Sequence, residues 1–576
     1  MKRINVLNIL TTLSVFSLLF FFTCTYSKDF NQDLGRHLKL GSIILQTHTI
    51  PGTNLFSYTN PSYPFINHHW LAEVVFQGIY QLTHIEGLIL FKSFIVVLSV
   101  VFLYYLSARE SSPRAAATAI FLLSPLFLER SDIRPELLGY LYFACMLYIV
   151  FTYKRRRYLL WAIPPLLLLW VNSHITFVFG GVLTLIVLGE LWSSALVKKS
   201  NTYSWHYTVL FPVIVFVAVM INPHGLYGVF YPLFIFNDYG YSIVENQNIF
   251  FLLRYTHNIL LTYFLLTLPL ALLSLSVLLY LKKYTYAFLL ILFTILTFSQ
   301  IRHLPFYTLV SIPCISIALS YISRFIPRAY FNKYVASLVL ICLSLIASLV
   351  FISGIYSKTF DRQTYFGLRS FEDGKLAADF LLRHKLPSNI FNNFDIGGYA
   401  IYRLYPTYRI FVDNRPEAYP KVFLQDTYIA MQTNPELMNS VFAKNNIRTI
   451  FFAHTDQTPW ALTFMETIIK QKEWKLVYLD ASIMILTKGT SLPDVRNNSS
   501  YLDALITKET DYINLLKLAN IFVTLGHPRA ANKAFAQAHI LNPDSCIIQK
   551  NLYAQTDNTL QIGEHEQIKR DHWFCF

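Results

Sequence analysis

The chain has 576 residues, 54% of them hydrophobic and only 14% charged, whereas soluble domains carry about 25% charged residues. Its 47 Lys and Arg outnumber its 33 Asp and Glu, for a net charge of +14, but these cations sit in short clusters between apolar runs without a basic aromatic surface, which argues against a nucleic-acid partner. The six cysteines show no CxxC spacing, which argues against a structural zinc site or a disulfide framework, although Cys546 and Cys575 are placed to pair outside the cytoplasm.

Met1-Lys2-Arg3 precedes an apolar run reaching Phe22. The run is too long for a signal-peptide core, and no Ala-x-Ala site follows, so it reads as a retained first helix. A polar loop comes next, with Asp29, Asp33, Arg36, His37, Asn67, His68, His69 and Glu73.

Further apolar runs follow at Gly87–Leu106, Ala115–Leu128, Leu137–Tyr153, Tyr158–Val171, Ile175–Val197 and Tyr207–Ile221. Others lie at Asn258–Leu281, Tyr284–Phe298, Leu304–Ile322 and Tyr334–Tyr356. With the first helix this makes about eleven spans, several short of the usual twenty residues. The clusters Lys154 to Arg157, Lys198-Lys199 and Lys282-Lys283 fall in alternate loops. That asymmetry places the N-terminus in the cytoplasm and everything after Tyr356 outside. The expected address is a bacterial inner membrane, with a periplasmic C-terminal part.

Beyond Glu372 the pattern alternates. Asn389–Asn392, Arg409–Val412, Arg448–Phe452, Lys475–Tyr478 and Ser482–Leu486 read as strands, with helical runs between them. Such alternation predicts a small α/β domain. After the polar linker Lys488–Asn498, residues Leu515, Leu518, Ala519, Phe522, Gly526, Ala531, Phe535, Ala538 and Pro543 fall at tetratricopeptide spacing. One such hairpin cannot bury its own face, so it packs on the α/β domain or on a protein partner. The expected fold is thus a polytopic α-helical membrane domain (1–357), an α/β domain (358–490) and a linker with a helical hairpin (491–576).

Non-basic polar residues gather at the outer ends of the spans, where ionisable groups are costly and mark a site or a wet cavity. Asp33, just past a membrane helix, is placed to act as general base. It is equally placed to hold a divalent cation together with Asp29, four residues earlier. Asp132 and Glu136 belong to the same polar cluster, and a salt bridge from one of them to Arg302 is the plain alternative. His37, His68, His69, His174 and His303 are candidate substrate ligands, without the tight pairing that zinc sites need. Arg134 and Arg302 present rigid forks of donors suited to phosphate. Asn172-Ser-His174, Asn222-Pro-His224-Gly225, Gly397-Gly398 and Asp413-Asn-Arg415-Pro416 read first as turns. No P-loop, GxGxxG, GxSxG or HExxH stands in a suitable setting.

The blocks Asp33-Leu-Gly-Arg-His37, Phe56-Ser-Tyr-Thr59, Asn67-His-His-Trp-Leu71, Trp170-Val-Asn-Ser-His174, Ile221-Asn-Pro-His-Gly225, Arg302-His-Leu-Pro-Phe306, Asn392-Asn-Phe-Asp-Ile-Gly-Gly-Tyr399 and Phe411-Val-Asp-Asn-Arg415 resemble those of bacterial membrane proteins related to the glycosyltransferase C superfamily. That resemblance implies an inverting transferase with a polyprenyl-phosphate-linked sugar as donor and a periplasmic acceptor. It implies that Asp33 is the acid of the first outer loop, that Asp132 or Glu136 supports it, and that Arg302 faces the donor phosphate. The chain departs from its relatives at Asn54, where Asp is common, and at His69, where Glu is common; the Trp-Trp-Asp motif of oligosaccharyltransferases is absent. A divalent metal is therefore an optional cofactor. A non-catalytic envelope assembly factor is the alternative function.

Overall fold

The computed structural model describes residues 6–28, 30, 32–130, 132–197, 205–235, 239–255, 258–326, 332–387 and 389–550. Asp29, Lys198, Lys199 and Cys575 lie outside the described residues, and with them the Asp29–Asp33 and Cys546–Cys575 pairings.

Among the described residues, six helices are long and apolar enough to cross a membrane, from Val6–Thr23 to Tyr334–Ile352, and the bent pair His206–Met220 with Gly225–Leu233 adds a seventh. Four shorter apolar helices, Pro113–Leu128, Glu136–Thr152, Arg157–Val171 and Tyr284–Ser299, share their bundle. These helices account for the eleven expected runs. The chain is a multi-pass membrane protein. Helix Leu304–Ile322 lies at the centre of the bundle: Leu304, Phe306, Tyr307, Leu309, Ile312 and Cys314 are buried in its large apolar core. Outer helices expose Leu266, Leu272, Leu345, Ile346 and Leu349, as expected where lipid rather than protein covers a helix.

The loop after the first membrane helix is more ordered than its sequence suggests. Leu34–Thr47 is a helix whose apolar face, with Leu34, Leu38, Leu40 and Ile44, is buried. The second span begins early, at Trp70, because Trp70–Glu110 runs as one helix broken at His84, where φ is 52°. The stretch before that break carries Glu73, Phe76 and Gln77 inward beside the helix Leu34–Thr47.

The soluble part holds a four-stranded sheet in the order β1-β2-β4-β3. β1 (Ile390–Asn392) runs parallel to β2 (Thr449–Ala453). β3 (Lys475–Leu479) and β4 (Ile483–Thr487) form an antiparallel hairpin, with β4 also antiparallel to β2. Every residue of β2 and β4 is buried, as expected for central strands covered on both faces. The expected strand at Arg409–Val412 is corrected: Ile410 stays outside the sheet and forms an isolated bridge with Ser57 of the loop after the first membrane helix. Its extended, apolar character serves a contact with the membrane half instead.

Two other bridges tie the halves together: Thr25 pairs with Phe366 and Ser27 with Ser370. Glycines allow the closest approach. A Cβ on Gly398 would lie 2.2 Å from the Gln32 carbonyl oxygen, and one on Gly35 would lie 2.8 Å from Tyr402 Cβ. The helix Gly397–Leu404 therefore rests directly on the helix Leu34–Thr47. The C-terminal hairpin, Tyr512–Thr524 with Pro528–Leu541, buries Leu515, Leu518, Ala519, Phe522, Ala534 and Ala538. It packs on the chain itself: Lys517 Nζ reaches Asp373 Oδ2 at 3.3 Å, and Tyr512 OH donates to Asp361 Oδ1 at 3.0 Å.

Candidate active site

A cavity of about 540 Å³ opens at the seam between the two halves. It gathers Asp33, His37, His69, Arg134, Glu136, His174 and Arg302 from the membrane half, all expected site residues. The soluble part adds Asp373, Asp395, Asn414, Glu417 and Thr458.

Asp33 stands at the N-terminal end of the helix Leu34–Thr47 without capping it. Its Oδ1 instead accepts from Arg36 Nη2 at 2.9 Å and from Asn414 Nδ2 at 2.8 Å. Oδ2 lies 3.6 Å from Arg134 Nε, too far for a hydrogen bond. One oxygen is thus fixed by donors, and the other is left to the cavity.

Behind Asp33 lies a buried dyad. His37 Nδ1 is 2.9 Å from Glu73 Oε1, and Asn67 Nδ2 donates to Glu73 Oε2 at 2.6 Å. His37, one turn along from Asp33, faces the cavity through this arrangement. The His69 ring stacks on His174 at 5.1 Å and meets His37 edge-on at 5.5 Å. Burial, with Arg36 and neighbouring imidazoles adding repulsion, drives His37 and His69 well below the ordinary imidazole range. Burial and Arg302 do the same to His174. Neutral, these rings offer both donors and acceptors.

Arg134 is held by its terminal nitrogens, which bond Glu245 and Gln32. Arg130 Nη2 donates to Glu136 Oε1 at 2.7 Å, and its Nη1 lies 2.9 Å from Glu245 Oε1. Glu136 is therefore on the cavity wall but committed to an ion pair. Arg302 Nη1 donates to Asn246 Oδ1 at 2.9 Å.

Three expected residues do not line the cavity. His68 turns into a small adjoining pocket with Asn222, His224 and Tyr231, its ring 3.9 Å from His69. His303 Nδ1 bonds the Leu296 carbonyl at 3.0 Å, a helix-end contact. Asp132 lies on the same loop as Arg134, away from the lining. Asn54, too, is elsewhere: it bridges Ala418 O at 3.0 Å and accepts from Arg415 Nη2 at 2.8 Å.

Several functional candidates came from the fold rather than the sequence. Asp395 follows β1 and faces Asp33 across the cavity. Its segment is firmly held: Asn393 Nδ2 donates to Asp456 Oδ2 at 3.0 Å, and the Phe394 amide donates to Tyr428 OH at 2.8 Å. Enclosed by protein yet open to the cavity's water, the Asp395 carboxyl is pushed up to about 7 by burial and by Asp456 and Asp33. Its block Asn392–Tyr399 stood out in the sequence as one of those carrying the resemblance, with Gly397-Gly398 read as a turn and no role given to Asp395. Lys28, lowered to about 8 by burial and Arg362, also lines the wall.

A divalent metal ion does not fit this donor set. Among the described residues no three His, Cys, Asp or Glu side chains stand close enough to hold one. Asp33 and Glu245 are already met by guanidinium groups, which a cation would have to displace.

No protein-family profile matches the chain, and no curated protein matches it either. Solved structures do. The archaeal oligosaccharyltransferase AglB from Archaeoglobus fulgidus, in complex with an inhibitory peptide and a dolichol-phosphate, superposes with a TM-score of 0.51 at 12% identity, covering 96% of this chain and 86% of that one. The Archaeoglobus fulgidus oligosaccharyltransferase in complex with Zn and sulfate gives 0.52 at 12% identity over the same shares, 96% and 86%. ArnT from Cupriavidus metallidurans, in the apo state, gives 0.48 at 14% identity, covering 83% of this chain and 97% of that one. The two oligosaccharyltransferase superpositions show a shared fold: a multi-helix membrane domain joined to a soluble domain.

Proposed function

We propose that this protein is an integral membrane glycosyltransferase, moving a hexosyl or pentosyl unit from a polyprenyl-phosphate carrier to an envelope acceptor, be it glycan, lipid or protein. The observation that carries the reading is the composition of one cavity wall. Asp33, with one oxygen fixed and one open, stands there beside Arg36, Arg134 and Arg302 at the edge of the membrane bundle. A lipid-linked donor needs that combination: a bilayer-side groove, cations for its phosphate and a carboxylate for its acceptor. The fold supports the same class, since the AglB structure of like fold holds a dolichol-phosphate.

In this reading the acceptor's hydroxyl attacks the anomeric carbon from the face opposite the phosphate. Asp33 Oδ2 takes the hydroxyl proton. The bond from the anomeric carbon to the phosphate oxygen breaks, and its electron pair stays on the phosphate. The new negative charge there is met by guanidinium groups already in place, so little reorganisation is needed. Configuration at the sugar inverts.

The same proposal sets the protein in a bacterial inner membrane, N-terminus in the cytoplasm and soluble domain in the periplasm. The support is the clustering of Lys154 to Arg157 and of Lys282-Lys283 in alternate loops. Mass spectrometry of envelope glycans and glycoconjugates from a deletion strain tests the function. A sugar missing from one product, and restored by the intact gene, is expected. An unchanged envelope refutes transfer and favours a non-catalytic assembly role.

A further inference from the structure

Glu245 occupies an unusual place. It belongs to a short turn, Val244–Asn246, in the loop leading to the helix Ile249–Tyr255. From that loop it reaches into the cavity wall and closes a four-charge network with Arg130, Arg134 and Glu136. Burial alone would raise its carboxyl, but Arg130 and Arg134 outweigh burial and hold it well below the usual carboxylate range. It is therefore an ionised carboxylate lying across two guanidinium groups.

The surrounding cations are not used up by it. Among the described residues, Arg36 Nε, Arg36 Nη1, Arg130 Nε and Arg134 Nε are buried without a hydrogen-bond partner. Buried donors of this kind are costly when unmade. Arg36 and Arg134 both line the cavity, and both also bracket Asp33. The wall thus has more guanidinium donors than its own acids satisfy, and a carboxylate spans part of it where a phosphate's oxygens would suit the same forks.

We propose that Arg134 and Arg36 form an anion subsite for the carrier lipid's phosphate, and that Glu245 is its resting occupant, displaced when the phosphate arrives. The proposal rests on the sugar-transfer reading above. Contact geometry explains why exchange, rather than addition, is the expected event. Glu245 Oε1 is bonded to Arg134 Nη1 and lies 2.9 Å from Arg130 Nη1, and its Oε2 accepts from Arg130 Nη2 at 3.1 Å. A phosphate oxygen reaches the Arg134 Nη1 donor only by taking the place of that carboxylate oxygen, and the exchange leaves the guanidinium paired with an anion. The occupant lowers apparent phosphate affinity, because only the fraction of molecules with Glu245 withdrawn can bind.

The sign of this prediction is the opposite of that for an ordinary ligand-contacting residue. Full-length protein in lipid nanodiscs is titrated with undecaprenyl phosphate and, separately, with inorganic phosphate. Glu245→Gln removes the charge and Glu245→Asp withdraws it by one methylene. Both are expected to bind undecaprenyl phosphate more tightly than wild type, Glu245→Gln by about fivefold or more. Arg134→Gln is expected to bind it more weakly. Equal or weaker binding by both Glu245 variants, in protein that elutes and melts like wild type, overturns the proposal. Tighter inorganic phosphate binding without any binding of undecaprenyl phosphate leaves the anion subsite standing and sinks the lipid-carrier reading. Failure of both probes to bind any form of the protein sinks both.

Discussion

Asp33 and Asn414 lie 381 residues apart in sequence, yet Asn414 Nδ2 donates to Asp33 Oδ1 at 2.8 Å. One belongs to the loop after the first membrane helix, the other to the soluble domain. The hydrogen bond therefore makes the orientation of the candidate base depend on how the two halves are seated. Asn414→Ala should reduce transfer about tenfold, the scale expected when a reacting group is slightly misplaced. Undecaprenyl phosphate binding should stay within about twofold of wild type, because the phosphate-facing cations are untouched. Rates and affinities measured on the same purified sample check both parts.

The seating itself rests on glycine. A methyl group on Gly398 would fall 2.2 Å from the Gln32 carbonyl oxygen, a backbone atom that cannot rotate away. Gly398→Ala should cost about 1–3 kcal/mol, the usual range for overpacking, and should lower activity together with thermal stability. The same substitution at Gly181, where a Cβ meets nothing within 4 Å, is the control and should leave both unchanged.

A buried ion pair anchors the soluble domain's inner edge. Arg415 and Asp413 are 1% and 0% exposed; Arg415 Nε and Nη2 donate to the two Asp413 oxygens at 2.7 and 2.8 Å. The guanidinium also packs over Phe65 at 4.6 Å. Arg415→Ala strands a buried carboxylate and should destabilise the protein by about 3–5 kcal/mol. Arg415→Lys should recover only part of this, since an ammonium cannot repeat the two-pronged geometry. Thermal unfolding in one detergent, compared across the three proteins, measures the effect.

Asp395 gives a pH dependence with a definite sign. Burial, Asp456 and Asp33 raise its carboxyl from an ordinary 3.8 to about 7 in the folded protein. The folded state thus holds this proton more tightly than the unfolded chain. The resulting stabilisation is complete below the ordinary value and is lost as pH rises through about 7. Asp395→Asn has no such proton to lose. The Tm of the variant should therefore gain on that of wild type between pH 5 and pH 8. A difference, variant Tm minus wild-type Tm, that stays constant or falls over this range would show that Asp395 ionises normally.

Much of the fold was legible because its causes are local. Apolar runs such as Tyr334–Tyr356 announce membrane helices through composition alone, and Gly526 with Ala519 and Ala531 marks a tight helical hairpin through small residues at fixed spacing. The site was legible where a residue broke its local pattern. Asp33, Arg134, His174 and Arg302 stood out as polar groups at the ends of apolar runs, and the structure brings them to one cavity. Glu245, one of the polar groups at the ends of the apolar runs, and Asp395, inside one of the resembling blocks, carried no role that the sequence could assign. Each sits in an ordinary polar loop, and its meaning comes only from long-range packing, which sets Glu245 on Arg130 and Arg134 and Asp395 opposite Asp33. Arg409–Val412 misled for a related reason: an extended apolar segment looks the same whether it joins a sheet or a neighbouring loop, and Ile410 pairs with Ser57.

The central claim is that Asp33 serves transfer rather than folding. Sugar transfer from an undecaprenyl-phosphate-linked donor into native envelope material, measured with purified Asp33→Asn protein beside wild type, tests it most directly. The account predicts that transfer is abolished while elution and Tm match wild type and undecaprenyl phosphate binds at least as tightly as to wild type. Wild-type transfer by the Asp33→Asn protein would contradict it.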